Sequence, residues 1–152
     1  MASVAGNDID ILAKARRALD GDYTPSDDEE YMNERQLEYF RMLLVEWKKS
    51  ILSASEGTLQ SLQDGPIREP DLNDRASSET DWGIELRTRD RQRKLIAKID
   101  AALRRIDKAE YGYCEVTGDP IGLRRLIARP IATMTVEAQE AHERREKISR
   151  DD

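Results

Sequence analysis

Apolar positions recur along this chain in two long stripes. Leu37, Phe40, Leu44, Trp47, Ile51, Ala54 and Thr58 follow alternating steps of three and four, a heptad seam held for three repeats. The pattern predicts a continuous helix over 33–64, with Asn33 able to cap its start and Gly65-Pro66 stopping it. At the rise of an α-helix such a segment would be about 48 Å long. The second stripe comprises Ile84, Leu95, Ile99, Ala102 and Ile106, with Thr88 and Gln92 as polar members in its middle. The loop from Gly65 to Asp71 is short relative to two such helices, so they are predicted to fold back as an antiparallel hairpin. The alternative is an intermolecular coiled coil, in which the chain would serve as an adaptor or dimerisation module.

The flanks carry weaker patterns. Residues 9–20 read as a short amphipathic helix, capped by Asn7 or Asp8, with Ile9, Leu12 and Leu19 on one side and Gly21 at its end. Residues 21–30 follow as an acidic, Pro-containing connector, read as solvated. Residues 110–133 are turn-rich and predict a small hairpin module, and Glu137 to Arg150 read as a final helix. Leu126, Ile127, Ile131, Met134 and Val136 are expected to form a lobe core with Tyr111 and the first helix. The predicted fold is all-α dominated, a long antiparallel coiled-coil hairpin plus a small globular lobe. Residues 1–32 form the N-terminal helix and acidic linker, joining the lobe. Residues 33–108 form the hairpin, with its tip at 65–77. Residues 109–134 form the turn-rich module and 135–152 the C-terminal helix.

Composition narrows the function classes. Among 152 residues, 37% are charged and only 5% aromatic, and the abundance of Ala, Glu, Lys, Leu and Arg favours helices over disorder. No apolar run approaches the ~20 residues of a membrane span, and the N-terminal residues lack a signal-peptide pattern, so a cytoplasmic protein is expected. Cys114 is the sole cysteine, which excludes an intramolecular disulfide and a Cys-rich metal site. The net charge of −6 argues against a general nucleic-acid binder. Charge is segregated, however. From Asp64 to Glu85 seven acids face two bases, whereas from Arg87 to Lys108 nine bases face three acids. An acidic tip on a basic shaft suits a partner surface of matching sign.

Catalytic chemistry is not expected. His142 is the single histidine, placed on a polar helix, and no phosphate-cradling glycine loop, nucleophile elbow or His-Glu-x-x-His is present. Two tip carboxylates, Asp71 and Asp74, bracket Leu72-Asn73 just after Pro70. One reading makes Asp74 the N-cap of the second helix. The other has a narrow rod presenting carboxylates to a distant, confined site.

The ordered set Glu30-Tyr31-Met32-Asn33-Glu34, Asp71-Leu72-Asn73-Asp74-Arg75-Ala76, Glu85-Leu86-Arg87-Thr88-Arg89-Asp90-Arg91, Arg93-Lys94-Leu95-Ile96, Tyr111-Gly112-Tyr113-Cys114 and Ile121 to Pro130 resembles the DksA/TraR family of regulators. The match runs from about Glu30 to Lys147. The resemblance implies a monomeric transcription regulator whose hairpin enters the secondary channel of RNA polymerase without sequence-specific DNA binding. It implies action with ppGpp, repressing ribosomal RNA promoters and activating some biosynthetic ones. Family positions at the tip are Asp71, Asp74 and Ala76, with Arg91 on the shaft. Those facing ppGpp are Lys98, Arg129 and Gln139, the last replacing a family lysine. The family's four zinc-ligand cysteines correspond here to Cys114, Thr117, Thr135 and Ala138, so zinc is expected to be absent and Cys114 to be a buried small apolar residue. A rescue site of Cys114, Glu137 and His142, or a redox role for Cys114, is the less favoured expectation.

Overall fold

The computed structural model describes residues 4–19, 21–64 and 72–151. Five helices carry these residues: α1 (Val4–Ala18), α2 (Glu34–Asp64), α3 (Leu72–Asp107), α4 (Leu123–Ala128) and α5 (Val136–Asp151). Among the described residues no peptide bond is cis. The chain divides into two units, one of Met1–Asp20 with Val45–Ile99 and one of Gly21–Leu44 with Asp100–Asp152. The expectation that the first helix joins the lobe core is therefore corrected: α1 belongs with the middle of the chain.

In the first unit, α2 and α3 run antiparallel. Ser55 Oγ donates to Gln92 Oε1 at 2.9 Å, and Leu52, Ser55 and Glu56 of α2 line one groove with Arg89, Arg93 and Ile96 of α3. Trp47, Ile51 and Ile99 are buried, joined by Leu12 and Ala15 of α1. Gln92 is buried in this seam, where its carbonyl is satisfied by Ser55. The seam is narrower than its sequence suggests. Ala54 and Ile84 are exposed, because a straight helix turns about 20° per heptad away from a strict 3.5-residue stripe. Thr58 lies outside the described side chains. The caps proposed for α1 are also corrected: Asn7 and Asp8 lie inside the helix, which ends at Ala18, before Gly21.

In the second unit, α2 buries a broader face. Gln36, Phe40, Leu43 and Leu44 are all inaccessible, since this stretch is covered by the turn module as well as by the end of α3. Asn33 caps α2 as predicted, its Oδ1 accepting from Gln36 N at 2.8 Å. Gln36 in turn accepts from Met32 N and donates to Ser26 O, which explains how a polar side chain is buried there. Arg41 pairs with Asp107 at 2.7 Å.

The turn module is a hairpin. Tyr113 and Pro120 form an isolated antiparallel bridge, Cys114 N donates to Asp119 O at 2.8 Å, and Ile121 N donates to Gly112 O at 2.8 Å. Tyr31 fastens it: its hydroxyl donates to Gly112 O at 2.6 Å and accepts from Gly122 N at 2.9 Å. Gly112 has φ +93°, and a Cβ there would stand 2.7 Å from Met32 Sδ, so both backbone and space demand glycine. The lobe core contains Tyr111, Cys114, Ile121, Leu123, Leu126, Ala132 and Ala138. Tyr111 donates to Pro130 O at 2.7 Å, and burial holds its phenol well above the usual range. Val136, expected in this core, is exposed at the first position of α5. The acidic connector is solvated at Asp27, Asp28 and Glu30. Glu29 departs from that reading: it accepts from Ser26 N and the Tyr23 hydroxyl, and those bonds hold its carboxyl below the ordinary value.

Candidate functional site

The predicted tip falls at the start of α3. Asp71 lies outside the described residues. Asp74 and Ala76 are the third and fifth residues of α3, and their side chains lie outside the described ones. Asp74 is thus inside the first helical turn, and the N-cap reading for it is corrected. An acid in that turn still benefits from the positive end of the helix dipole.

On α3, within the first unit, Arg91 is half-buried, and its Nε and one terminal nitrogen are shielded from solvent. Lys98 is exposed and makes no ion pair or hydrogen bond among the described residues. A cation left free in this way can serve a phosphate without first breaking an internal bond.

In the second unit, Arg129 ends α4. Its N donates to Arg125 O at 2.7 Å, and its side chain is exposed without an internal partner among the described residues. Gln139 sits in the first turns of α5, half-buried, with Nε2 donating to Glu143 Oε1 at 3.1 Å. It offers no charge, and one of its two amide N–H donors is already engaged.

Cys114, Thr117, Thr135 and Ala138, the positions expected from the resemblance to correspond to zinc ligands, make other contacts here. Thr135 caps α5: its Oγ1 accepts from Ala138 N at 3.1 Å, and its carbonyl accepts from Gln139 N at 2.9 Å. Thr117 Oγ1 accepts from Asp119 N at 3.2 Å, closing the hairpin turn. Ala138 is buried and carries no donor atom for a metal. Cys114 is buried as well. One thiol, two hydroxyls committed to backbone N–H groups and a methyl do not make a zinc site, because zinc calls for four thiolate, imidazole or carboxylate donors. Among the described residues no group of three or more His, Cys, Asp or Glu is placed to hold a metal ion. The rescue set is not brought together either, and His142 instead faces Glu146 at 3.1 Å.

What remains at Cys114 is a polarised thiol. Burial pushes its pKa up, but hydrogen bonds from the Thr117 side chain and from the N–H groups of Thr135, Thr117 and Val116 outweigh burial and bring it down to about 6. An acid whose folded pKa lies below its unfolded value of 9.0 adds stability as pH rises from about 6 to 9. That contribution is lost as pH falls through about 6. Thr117→Val should therefore move the midpoint of the iodoacetamide alkylation profile upward and flatten the rise of stability between those pH values. An unchanged midpoint would remove Thr117 as a donor to sulfur.

Three residues that pattern reading did not single out hold this lobe together: Tyr31, Thr135 as a cap, and Arg105. Arg105 donates to Tyr113 O at 2.6 Å and Glu110 O at 3.3 Å. The Thr135 cap had a readable signal, a threonine immediately before Val136-Glu137-Ala138. The other two act through contacts that sequence spacing does not encode.

Residues 36–106 match the family described as DnaK suppressor protein DksA, N-terminal domain, and residues 109–144 match the prokaryotic dksA/traR C4-type zinc finger. The RNA polymerase-binding transcription factor DksA of Caulobacter vibrioides is 64% identical over 131 residues, covering 86% of this chain and 92% of that protein. Its namesake in Escherichia coli is 42% identical over 125 residues, covering 82% and 83% respectively. The solved structure of transcription factor DksA2 from Pseudomonas aeruginosa aligns with a TM-score of 0.70 at 39% identity, covering 91% of this chain and 97% of that one. With both parts matched in order and identity this high over most of its length, the chain belongs to the DksA/TraR family.

Proposed function

We propose that this chain is a transcription regulator that binds RNA polymerase directly and acts through the secondary channel. One observation carries the reading: relatives up to 64% identical over 86% of the chain are named RNA polymerase-binding transcription factors. The hairpin would bring Asp71, Asp74 and Ala76 towards the catalytic centre, with Arg91 on the flanking α3 surface. Carboxylates at a narrow helical turn suit the cationic and metal-bearing surroundings of a nucleotidyl-transfer site. Lys98 and Arg129 would supply cations to ppGpp, whose phosphates need several such donors. Gln139 contributes no charge, so the response to ppGpp is expected to be weaker than with a lysine there. The protein would work as a soluble monomer in the cytoplasm. It would repress ribosomal RNA promoters and activate some biosynthetic ones, reading no DNA sequence. No helix among the described residues is long and apolar enough to cross a membrane.

The test is transcription in vitro from a ribosomal promoter with purified polymerase, with and without ppGpp. The protein alone should reduce transcript, and ppGpp should deepen the effect. Lys98→Ala should blunt the ppGpp-dependent part more than the ppGpp-independent part. No effect of the protein on polymerase would refute the reading, and an unchanged ppGpp response in Lys98→Ala would remove that residue from the effector site.

A further inference from the structure

One polar pair lies inside the seam of the first unit. Gln92 is 5% exposed, and its Oε1 accepts from Ser55 Oγ at 2.9 Å. The other buried side chains described in this unit, Leu12, Ala15, Trp47, Ile51 and Ile99, are all apolar. The pair also stands where the buried seam ends. Beyond Ile51 on α2 and before Gln92 on α3, none of the described side chains is buried. Asp74 lies eighteen residues nearer the start of α3, about 27 Å along the helix axis.

Apolar contact is non-directional, so a stripe of aliphatic side chains by itself tolerates sliding and tilting. A buried hydrogen bond is satisfied in one arrangement only, and single polar members of a coiled-coil seam fix register for that reason. Sliding by one turn, about 5.4 Å, would strand the Gln92 carbonyl. That cost disfavours the slipped arrangement by about five- to 150-fold. Tilting matters as much, because a change of about 10° at Gln92 carries the far end of such an arm by about 5 Å. We propose that Gln92 is a positioning residue: its bond to Ser55 pins α3 against α2 and so sets where the tip carboxylates stand inside polymerase. The inference rests on the proposed function, and it gives Gln92 no contact with polymerase.

The test compares the full chain with Gln92→Leu, Ser55→Ala and Gln92→Glu. The first two remove the bond, whereas glutamate keeps an acceptor of the same reach for Ser55. Spin labels at Lys49→Cys and Glu79→Cys, both exposed positions, in a Cys114→Ser background, read the register as a dipolar distance without polymerase. The parent and Gln92→Glu should each give one narrow distance. Gln92→Leu and Ser55→Ala should broaden it or move it by several ångströms, on the scale of one helical turn. With purified polymerase, both should bind within about threefold of wild type. Their effect on a ribosomal promoter should fall by about fivefold or more, as misplacement of acting groups does. Gln92→Leu should keep wild-type helicity and a melting temperature no lower than wild type, since a polar seam residue costs stability. Ser55→Ala carries the test if Gln92→Leu does not fold. Unchanged distances and promoter effect in both variants would overturn the pin. So would a Gln92→Glu that behaves like Gln92→Leu, or equal losses of affinity and effect, which would make Gln92 a docking residue. A wild type without effect on polymerase would overturn the functional reading, while the label distances would still decide whether the bond fixes register.

Discussion

Phe40→Ala should lower the stability of the protein by about 3–5 kcal/mol, a large share of the ~5–15 kcal/mol that folded domains commonly have. The ring is fully buried. It lies 5.5 Å from the ring of Tyr111 and 5.3 Å from that of Tyr39. Tyr111 carries the hydrogen bond to Pro130 O, so the aromatic contact connects α2 to the segment that closes the turn module. Alanine would leave a cavity that neighbours held by hydrogen bonds cannot collapse into, and the loss combines transfer and cavity contributions. Leu52→Ala is the matched control: its side chain is 45% exposed, and the expected change is within about 0.5 kcal/mol. Urea denaturation followed by circular dichroism reads both. A Phe40→Ala loss below about 1 kcal/mol would mean that the lobe is not held by this packing.

Asp74→Asn should separate binding from activity. Asparagine keeps the size and helical position of the aspartate and removes only its charge. On the proposed mechanism the charge acts on the catalytic region of polymerase, and affinity is set elsewhere along the hairpin. Affinity for polymerase should change by less than about threefold, while the effect on a ribosomal promoter should fall by about tenfold or more, the scale of one lost charge-assisted hydrogen bond. Competition binding and a transcription titration, run on the same preparations, measure the two quantities. Parallel losses would make Asp74 a docking residue and leave the mechanism at the tip without its main actor.

Long-range architecture was legible where one physical rule dominates. The heptad stripe located α2 to within a residue at its start, because Asn33 supplies a cap and the apolar steps leave little choice of face. The hairpin followed from two stripes and a short loop. Errors gathered where a second rule competes. Ala54 and Ile84 kept the stripe in sequence but rotated out of the seam, since helical twist and heptad period diverge with distance. Asn7 and Asp8 are good caps in isolation, yet α1 continues through them from Val4. Val136 reads as core by its chemistry and stands outside because it opens α5.

The lobe was the least legible part. Its bonds join residues far apart in sequence, such as Tyr31 with Gly112 and Gly122, and no periodicity announces them. With Cys114 as the sole cysteine, the sequence led to the expectation that zinc is not held here. What replaced it, a cap by Thr135 and a turn closed by Thr117, required coordinates. At the candidate effector residues, sequence supplied Lys98, Arg129 and Gln139 by resemblance. Coordinates added that the two cations are free among the described residues while Gln139 is engaged with Glu143.

The central claim is that the hairpin end reaches the interior of polymerase. A chelated iron attached at Asn73→Cys, in a Cys114→Ser background, tests it by local hydroxyl-radical cleavage of the bound enzyme. Cuts confined to segments around the catalytic metal are the predicted result. Cuts only on the outer surface, or none in a complex shown to be intact, would contradict the account.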